Sequence, residues 1–290
     1  MGQYHQLVLL ILIVNCSLYS CRVRVWMQRT NLKTASNWNE NQIPCASDTI
    51  VFPSESYDVI KVSNFDAKEI ILPKTGGFVF DTQANLNFHE RDSKCKSNEV
   101  KTFKKKIELP WLSIENWEII NDNEYQYDNA ATPHSELVPC DYDEVIFPAN
   151  NSFVIDLQSL PVLALKSLAI DGRVLTIHEF KEFLMSPFGQ LTFKNTDNTM
   201  FQESICNDEN KCPCHRFSGS LLDQLCENLK SNCQVPHCSD PIKPIGHCCY
   251  ICGAMLQISL PAVNHFRLKN IKADIAKGES SCGDKMIEVI

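Results

Sequence analysis

Basic residues are the minority in this chain: 27 Lys and Arg stand against 35 Asp and Glu, a formal net charge of −8 over 290 residues. Phosphate backbones are bound by a surplus of Lys and Arg, so nucleic acid is excluded as a default partner. The one short basic run, Lys101 to Lys106, reads as a solvated loop. Catalytic signatures are also missing. No G-x-S-x-G elbow occurs, and no two of the eight histidines stand at H-x-x-x-H spacing. Carboxylate pairs such as Asp141/Asp143 and Glu179/Glu182 come without a convergent His, Arg or metal cluster, so no enzyme and no cofactor is expected. Asn-Gly is absent and Asp-Gly occurs once, at Asp171-Gly172, so tight hairpins are few. No stretch approaches 18 apolar residues, so the sequence as given contains no bilayer span.

The longest apolar run is Leu7 to Val14, too short to cross a membrane and of the right length for the core of a secretory signal. The expected signal is 1–20, with cleavage near Ser20 or Cys21. Cysteine usage agrees. The chain has 15 Cys, nine of them between Cys206 and Cys252, a density that belongs to an oxidising compartment.

A duplication follows. Asn37-Trp38 leads to Pro44-Cys45-Ala46-Ser47-Asp48-Thr49-Ile50-Val51-Phe52-Pro53; Asn116-Trp117 leads to Pro139-Cys140-Asp141-Tyr142-Asp143-Glu144-Val145-Ile146-Phe147-Pro148. A further Trp precedes each copy, at Trp26 and Trp111. Proline holds its predecessor extended, Asp48 and Asp143 supply turn acceptors, and the apolar triplets form short strands. Short runs recur after the first copy at Asp58–Val62, Glu69–Leu72, Phe78–Asp81 and Ala84–Phe88. After the second they recur at Phe153–Leu157, Leu163–Ile170, Val174–Ile177 and Gln190–Phe193. Phe180, Phe183 and Leu184 are spaced for a helix over His178–Ser186, stopped by Pro187. The fold class expected is mainly β: two β-helix or solenoid-like portions, 21–110 and 111–205, then a small disulfide-rich module, 206–253, and a C-terminal segment, 254–290. The four tryptophans stand where a solenoid would be capped, as core residues or as an open end that docks a partner.

In the cysteine-rich segment Cys249 and Cys252 have CxxC spacing, but Cys212-x-Cys214 and adjacent Cys248-Cys249 do not suit zinc, so disulfides are expected. Cys45–Cys95 is the natural bridge of the first copy, and by equivalence Cys140 should reach forward to Cys206. Loops of 50 to 66 residues closed this way contribute about 4 kcal/mol each. Cys212, Cys214, Cys226, Cys233, Cys238, Cys248, Cys249 and Cys252 remain, an even set whose pairs sequence does not choose. Cys282 either meets Cys21 or marks an end that is not the natural one. Asn150-Asn151-Ser152 is the one glycan acceptor beyond the signal.

The duplicated Asn-Trp…Pro-Cys…Asp…Phe-Pro element and the terminal Cys248-Cys249-Tyr250-Ile251-Cys252-Gly253-Ala254 resemble the amnionless family over about residues 26–275. The resemblance implies two β-helical portions ahead of a von Willebrand factor type C-like module. It also implies a non-enzymatic receptor subunit that binds the N-terminal trimeric region of cubilin, carries it to the apical membrane and supports endocytic protein uptake. Family members continue into a transmembrane helix and tail; here the sequence after Lys277 runs GESSCGDKMIEVI. The expectation is a membrane subunit in apical and endocytic membranes if a span follows, and a secreted form otherwise. The repeats are expected to bind, through Trp38, Phe52, Trp117 and Phe147, and the module to act as a spacer. A different reading is a soluble growth-factor modulator acting through the module.

Overall fold

The computed structural model describes residues 23–28, 30–56, 59–90, 95, 98–104, 109–120, 132–149, 151–158, 160–205, 219–227 and 229–253. The expected signal, Asn150, Cys206, Cys212, Cys214 and Cys282 lie outside them. The described residues are mainly strands with few helices, and none of those helices is long and apolar enough to cross a membrane.

Strand β1 is Val23–Trp26. The first unit then runs through β2 (Thr49–Val51), β3 (Val59–Val62), β4 (Phe65–Ala67), β5 (Glu69–Ile71), β6 (Gly77–Phe80), β7 (Leu86–Phe88) and β8 (Val100–Thr102). Each of three successive strands pairs in parallel with the strand three places later: β2 with β5, β3 with β6, β4 with β7. Strand β8 covers the other edge of β2, also in parallel. Ile50, Ile60, Val62, Phe65 and Ala67 point inward beneath Trp38 and Phe103 to make the unit's core.

The second unit comprises β9 (Leu109–Pro110), β10 (Trp117–Ile120), β11 (Glu144–Phe147), β12 (Ile155–Asp156), β13 (Val162–Leu165), β14 (Ser167–Ile170), β15 (Arg173–Leu175), β16 (Phe193–Lys194) and β17 (Met200–Glu203). Again three strands pair in parallel with later ones: β11 with β14, β12 with β16, β13 with β17. The expected run Leu163–Ile170 is two strands that turn a corner at Lys166. Asp171 and Gly172, with φ of 52° and 79°, make the tight turn of the β14–β15 hairpin; both positions need the left-handed region, which Gly enters freely and Asp tolerates.

Between β15 and β16 the chain inserts α1 (Ile177–Met185) and α2 (Pro187–Thr192). Thr176 caps α1 in a reciprocal box with Glu179, and Ser186 caps α2 by accepting from the Gly189 amide at 3.0 Å. Pro187 therefore begins a helix as well as following one, because its missing N–H and fixed φ suit the first helical position. The strand expected at Gln190–Phe193 is corrected accordingly: it is helical through Thr192, and only Phe193–Lys194 is extended.

The units repeat down to individual hydrogen bonds. Asp48 and Asp143 each accept from the amide of the Cys three residues before, at 2.8 and 2.9 Å. Trp38 and Trp117 each donate their indole N–H to a carbonyl six residues back, Leu32 and Trp111, at 2.9 and 2.8 Å. Trp111 is thus the counterpart of Leu32, and the expected equivalence of Trp111 with Trp26 is corrected. Trp26 instead matches Phe103. Trp26 stands edge-on to Trp117 at 5.0 Å, and Phe103 edge-on to Trp38 at 5.1 Å. The residues after them, Met27 and Lys104, donate to Asn116 and Asn37.

It follows that β1, the first described strand, does in the second unit what β8 does in the first. It lies between β10 and β11, antiparallel to one and parallel to the other. Residues 23–26, expected with the first portion, are built into the second. The chain then crosses back at Thr30, whose hydroxyl meets Ser152 at 2.7 Å and donates to the Val59 carbonyl at 2.5 Å, while Ser152 Oγ accepts from the Lys61 amide at 2.9 Å. The outer face of β3 and β6 is therefore the side that meets the second unit, with Leu191 of α2 packed over Gly77.

Candidate docking site

The four expected contact residues are buried: Trp38 is 0 % exposed, Phe52 3 %, Trp117 7 % and Phe147 0 %. Their contact role is corrected on that ground. Trp38 stacks on Phe65 and meets Phe52 and Phe103, while Phe147 sits among Trp26, Trp117, Phe153 and Phe193. They shape the interior and offer no surface to a partner.

Exposed apolar surface lies at the far end of the first unit. Parallel register keeps a residue on the same face as its partner one layer up, and alternate residues share a face. Val62, Phe65 and Ala67 point inward and are 2 %, 7 % and 0 % exposed; their partners Phe80, Leu86 and Phe88 point the same way and are 57 %, 37 % and 59 % exposed. Inward-facing side chains are thus laid bare, because nothing described forms a floor beneath them. Among the described residues no strand pairs with the outer edges of β5, β6 or β7. The layer presents three parallel strand edges around an apolar mouth.

The equivalent end of the second unit is closed. Phe180 of α1 is buried and sets its ring 5.3 Å from both Phe193 and Phe201. The inserted hairpin and helices supply that plug, while the corresponding connection of the first unit, 72–76, is a short loop.

Charge is set by structure in the upper layers. Arg24 is wholly buried and donates to Asp143 at 2.9 Å and to the Glu136 carbonyl at 2.6 Å. Its counterpart Lys101 is held between Glu99 and Glu40 at 2.6 and 2.9 Å, and those two carboxylates, Glu99 foremost, hold it protonated above the ordinary lysine range. Asp143 is a turn acceptor and ion-pair partner. Among the described residues no group of His, Cys, Asp and Glu is arranged to hold a metal ion.

The structure pairs Cys45 with Cys95, Cys226 with Cys248, Cys233 with Cys249 and Cys238 with Cys252. Cys140 is also disulfide-bonded, and its expected pairing with Cys206 falls outside the described residues. The module packs against the second unit. Leu225 and Cys226 of α3 (Ser220–Glu227), with Leu229 and Cys248, join the same apolar cluster as Trp111, Trp117 and Phe147.

The edge residues Phe80, Leu86 and Phe88 are the ones sequence reasoning passed over. Both strands were legible from alternation, but alternation is the same in an inner layer and in the last one.

The family model described as Amnionless matches residues 23–280. "Protein amnionless" of Drosophila melanogaster is 26% identical over 242 residues, 82% of this chain and 46% of that relative. The proteins of the same name from Canis lupus familiaris and Homo sapiens are each 26% identical, over 255 and 251 residues, 84% of this chain and 54% of each relative. The chain spans about half the length of these curated relatives.

Proposed function

This chain belongs to the amnionless family, and from that premise we propose that it is a non-enzymatic subunit of an endocytic receptor. It recruits the N-terminal trimeric region of a cubilin-type partner in the secretory pathway and supports its transport to, and anchoring at, the apical membrane. Four disulfides among the described residues support the secretory-pathway part of this reading.

Each repeat unit is a short β-solenoid of about two rungs, a reading supported by the parallel pairing of three successive strands with later ones in both units. The observation that carries the docking proposal is the bare inner face of the last rung in the first unit, Phe80, Leu86 and Phe88. A solenoid end left open pairs with further strands, since its edge amides and carbonyls are spaced for them and its core lacks a floor. A partner that contributes strands to β5, β6 and β7 satisfies both at once. The second unit, already plugged by Phe180, holds the first in place and carries the module.

The test is co-expression of the full chain with the N-terminal region of a cubilin-type receptor. Wild type is captured with the partner. Phe80→Asp and Phe88→Asp are secreted at wild-type level and lose capture at least about tenfold, the scale on which interface anchors act. Undiminished capture by both variants overturns the docking surface; a secreted wild type that captures nothing overturns the receptor reading.

A further inference from the structure

Where the disulfide module meets the second unit, two histidines from different parts of the chain stand ring to ring. His134 opens the turn 134–136, and His247 precedes the paired Cys248 and Cys249. Their ring centres are 4.1 Å apart at 68°, and His247 is 4 % exposed. The Cys248 amide donates to His134 Nδ1 at 3.1 Å, and the Ser135 amide donates to the Gly246 carbonyl at 3.1 Å. Gly246 has φ 77°, and a Cβ there would fall 2.3 Å from Ser135 Oγ, so the loop approaches the turn as closely as backbone allows.

We propose that this joint is a pH-sensitive latch, closed while His134 is neutral and opened by its protonation in an acidic compartment. The chemistry is local. His134 Nδ1 must keep a lone pair to accept from Cys248, and a proton there sets one donor against another. It also places a cation against a second imidazole in a partly buried joint. Charged and titratable side chains on the elements packed here are Glu136 on the turn, Arg24 and Asp143, which pair with one another, Asp141, Asp223 and Glu227 on α3, and Lys243 of the module.

Burial first and His247 second hold the His134 pKa down to about 4, against 6.5 for a free imidazole. A base whose pKa is depressed in the closed state stabilises that state fully above 6.5, and the stabilisation drains away as pH falls from there towards 4. At pH 5 the closed joint should be weaker by about tenfold or more relative to pH 7.4. Because Cys248 and Cys249 each carry a disulfide, to Cys226 and Cys233, opening moves the module as a stapled body rather than unravelling it.

Hydrogen–deuterium exchange on the full secreted chain at pH 7.4, 6.0 and 5.0, corrected for intrinsic rates, tests the proposal. Protection of the Ser135 and Cys248 amides should fall about tenfold from pH 7.4 to 5.0 while β3 and β6 stay unchanged. A flat profile at the joint overturns the proposal. His134→Asn keeps an acceptor oxygen without a titratable ring and should flatten the profile; a wild-type profile in that variant also overturns it. If the variant is not secreted, the wild-type profile alone decides.

Discussion

Arg24 and Asp143 are 119 residues apart in the chain and 2.9 Å apart in the fold. This pair ties the first described strand to the second unit, and its counterpart in the first unit is Lys101 with Glu40 and Glu99. The two sites differ in access to water, which predicts unequal consequences. Arg24→Met strands a carboxylate that is 5 % exposed and should cost about 3–5 kcal/mol. Lys101→Met releases Glu40 and Glu99, which are 66 % and 60 % exposed and turn to solvent, at about 1 kcal/mol or less. Urea unfolding of the two secreted variants measures the difference.

Core and docking residues should separate in the same way. Trp38→Ala empties the space between Phe52, Phe65 and Phe103 and should cost about 3–5 kcal/mol, read as reduced secretion and a lower melting temperature. Phe88→Asp alters a ring that is 59 % exposed and should leave stability within about 0.5 kcal/mol.

The Cys45–Cys95 bridge closes 50 residues around the first unit, whereas the module bridges close 22, 16 and 14. On loop length, Cys45→Ser with Cys95→Ser should cost about 4 kcal/mol, against about 3 kcal/mol for any one module pair. Denaturant midpoints of the double-serine variants decide the order.

Glu179 accepts from the Thr176 backbone and hydroxyl and, less, from Arg173, and these hold its carboxyl below the ordinary range. A depressed acid stabilises the α1 cap above its unfolded pKa and loses that contribution as pH falls through its folded value. Acid titration of α1 amide exchange should show a step that Glu179→Gln removes.

The duplication was legible because it is written in side chains that make the same local bonds twice: Asp48 and Asp143 to their cysteine amides, Trp38 and Trp117 to carbonyls six residues back. The helix at Ile177–Met185 followed from its spacing, and the Asp171-Gly172 turn from its chemistry. What could not be read was long-range. Nothing near Val23–Trp26 says that its neighbours lie at residues 117–120 and 144–146, and Trp26 resembles a repeat residue by position alone. The aromatic lead-in residues looked like contacts because large apolar side chains serve cores and interfaces alike. The exposure of Phe80 and Phe88 depends on which strand layer is last.

The measurement closest to the central claim is hydrogen–deuterium exchange of the chain alone and bound to the N-terminal region of a cubilin-type receptor. Strand addition to the open rung predicts new protection across residues 69–88, strongest in β6 and β7, with little change in β3. Protection confined to the disulfide module, with residues 69–88 exchanging as in the free chain, would contradict it.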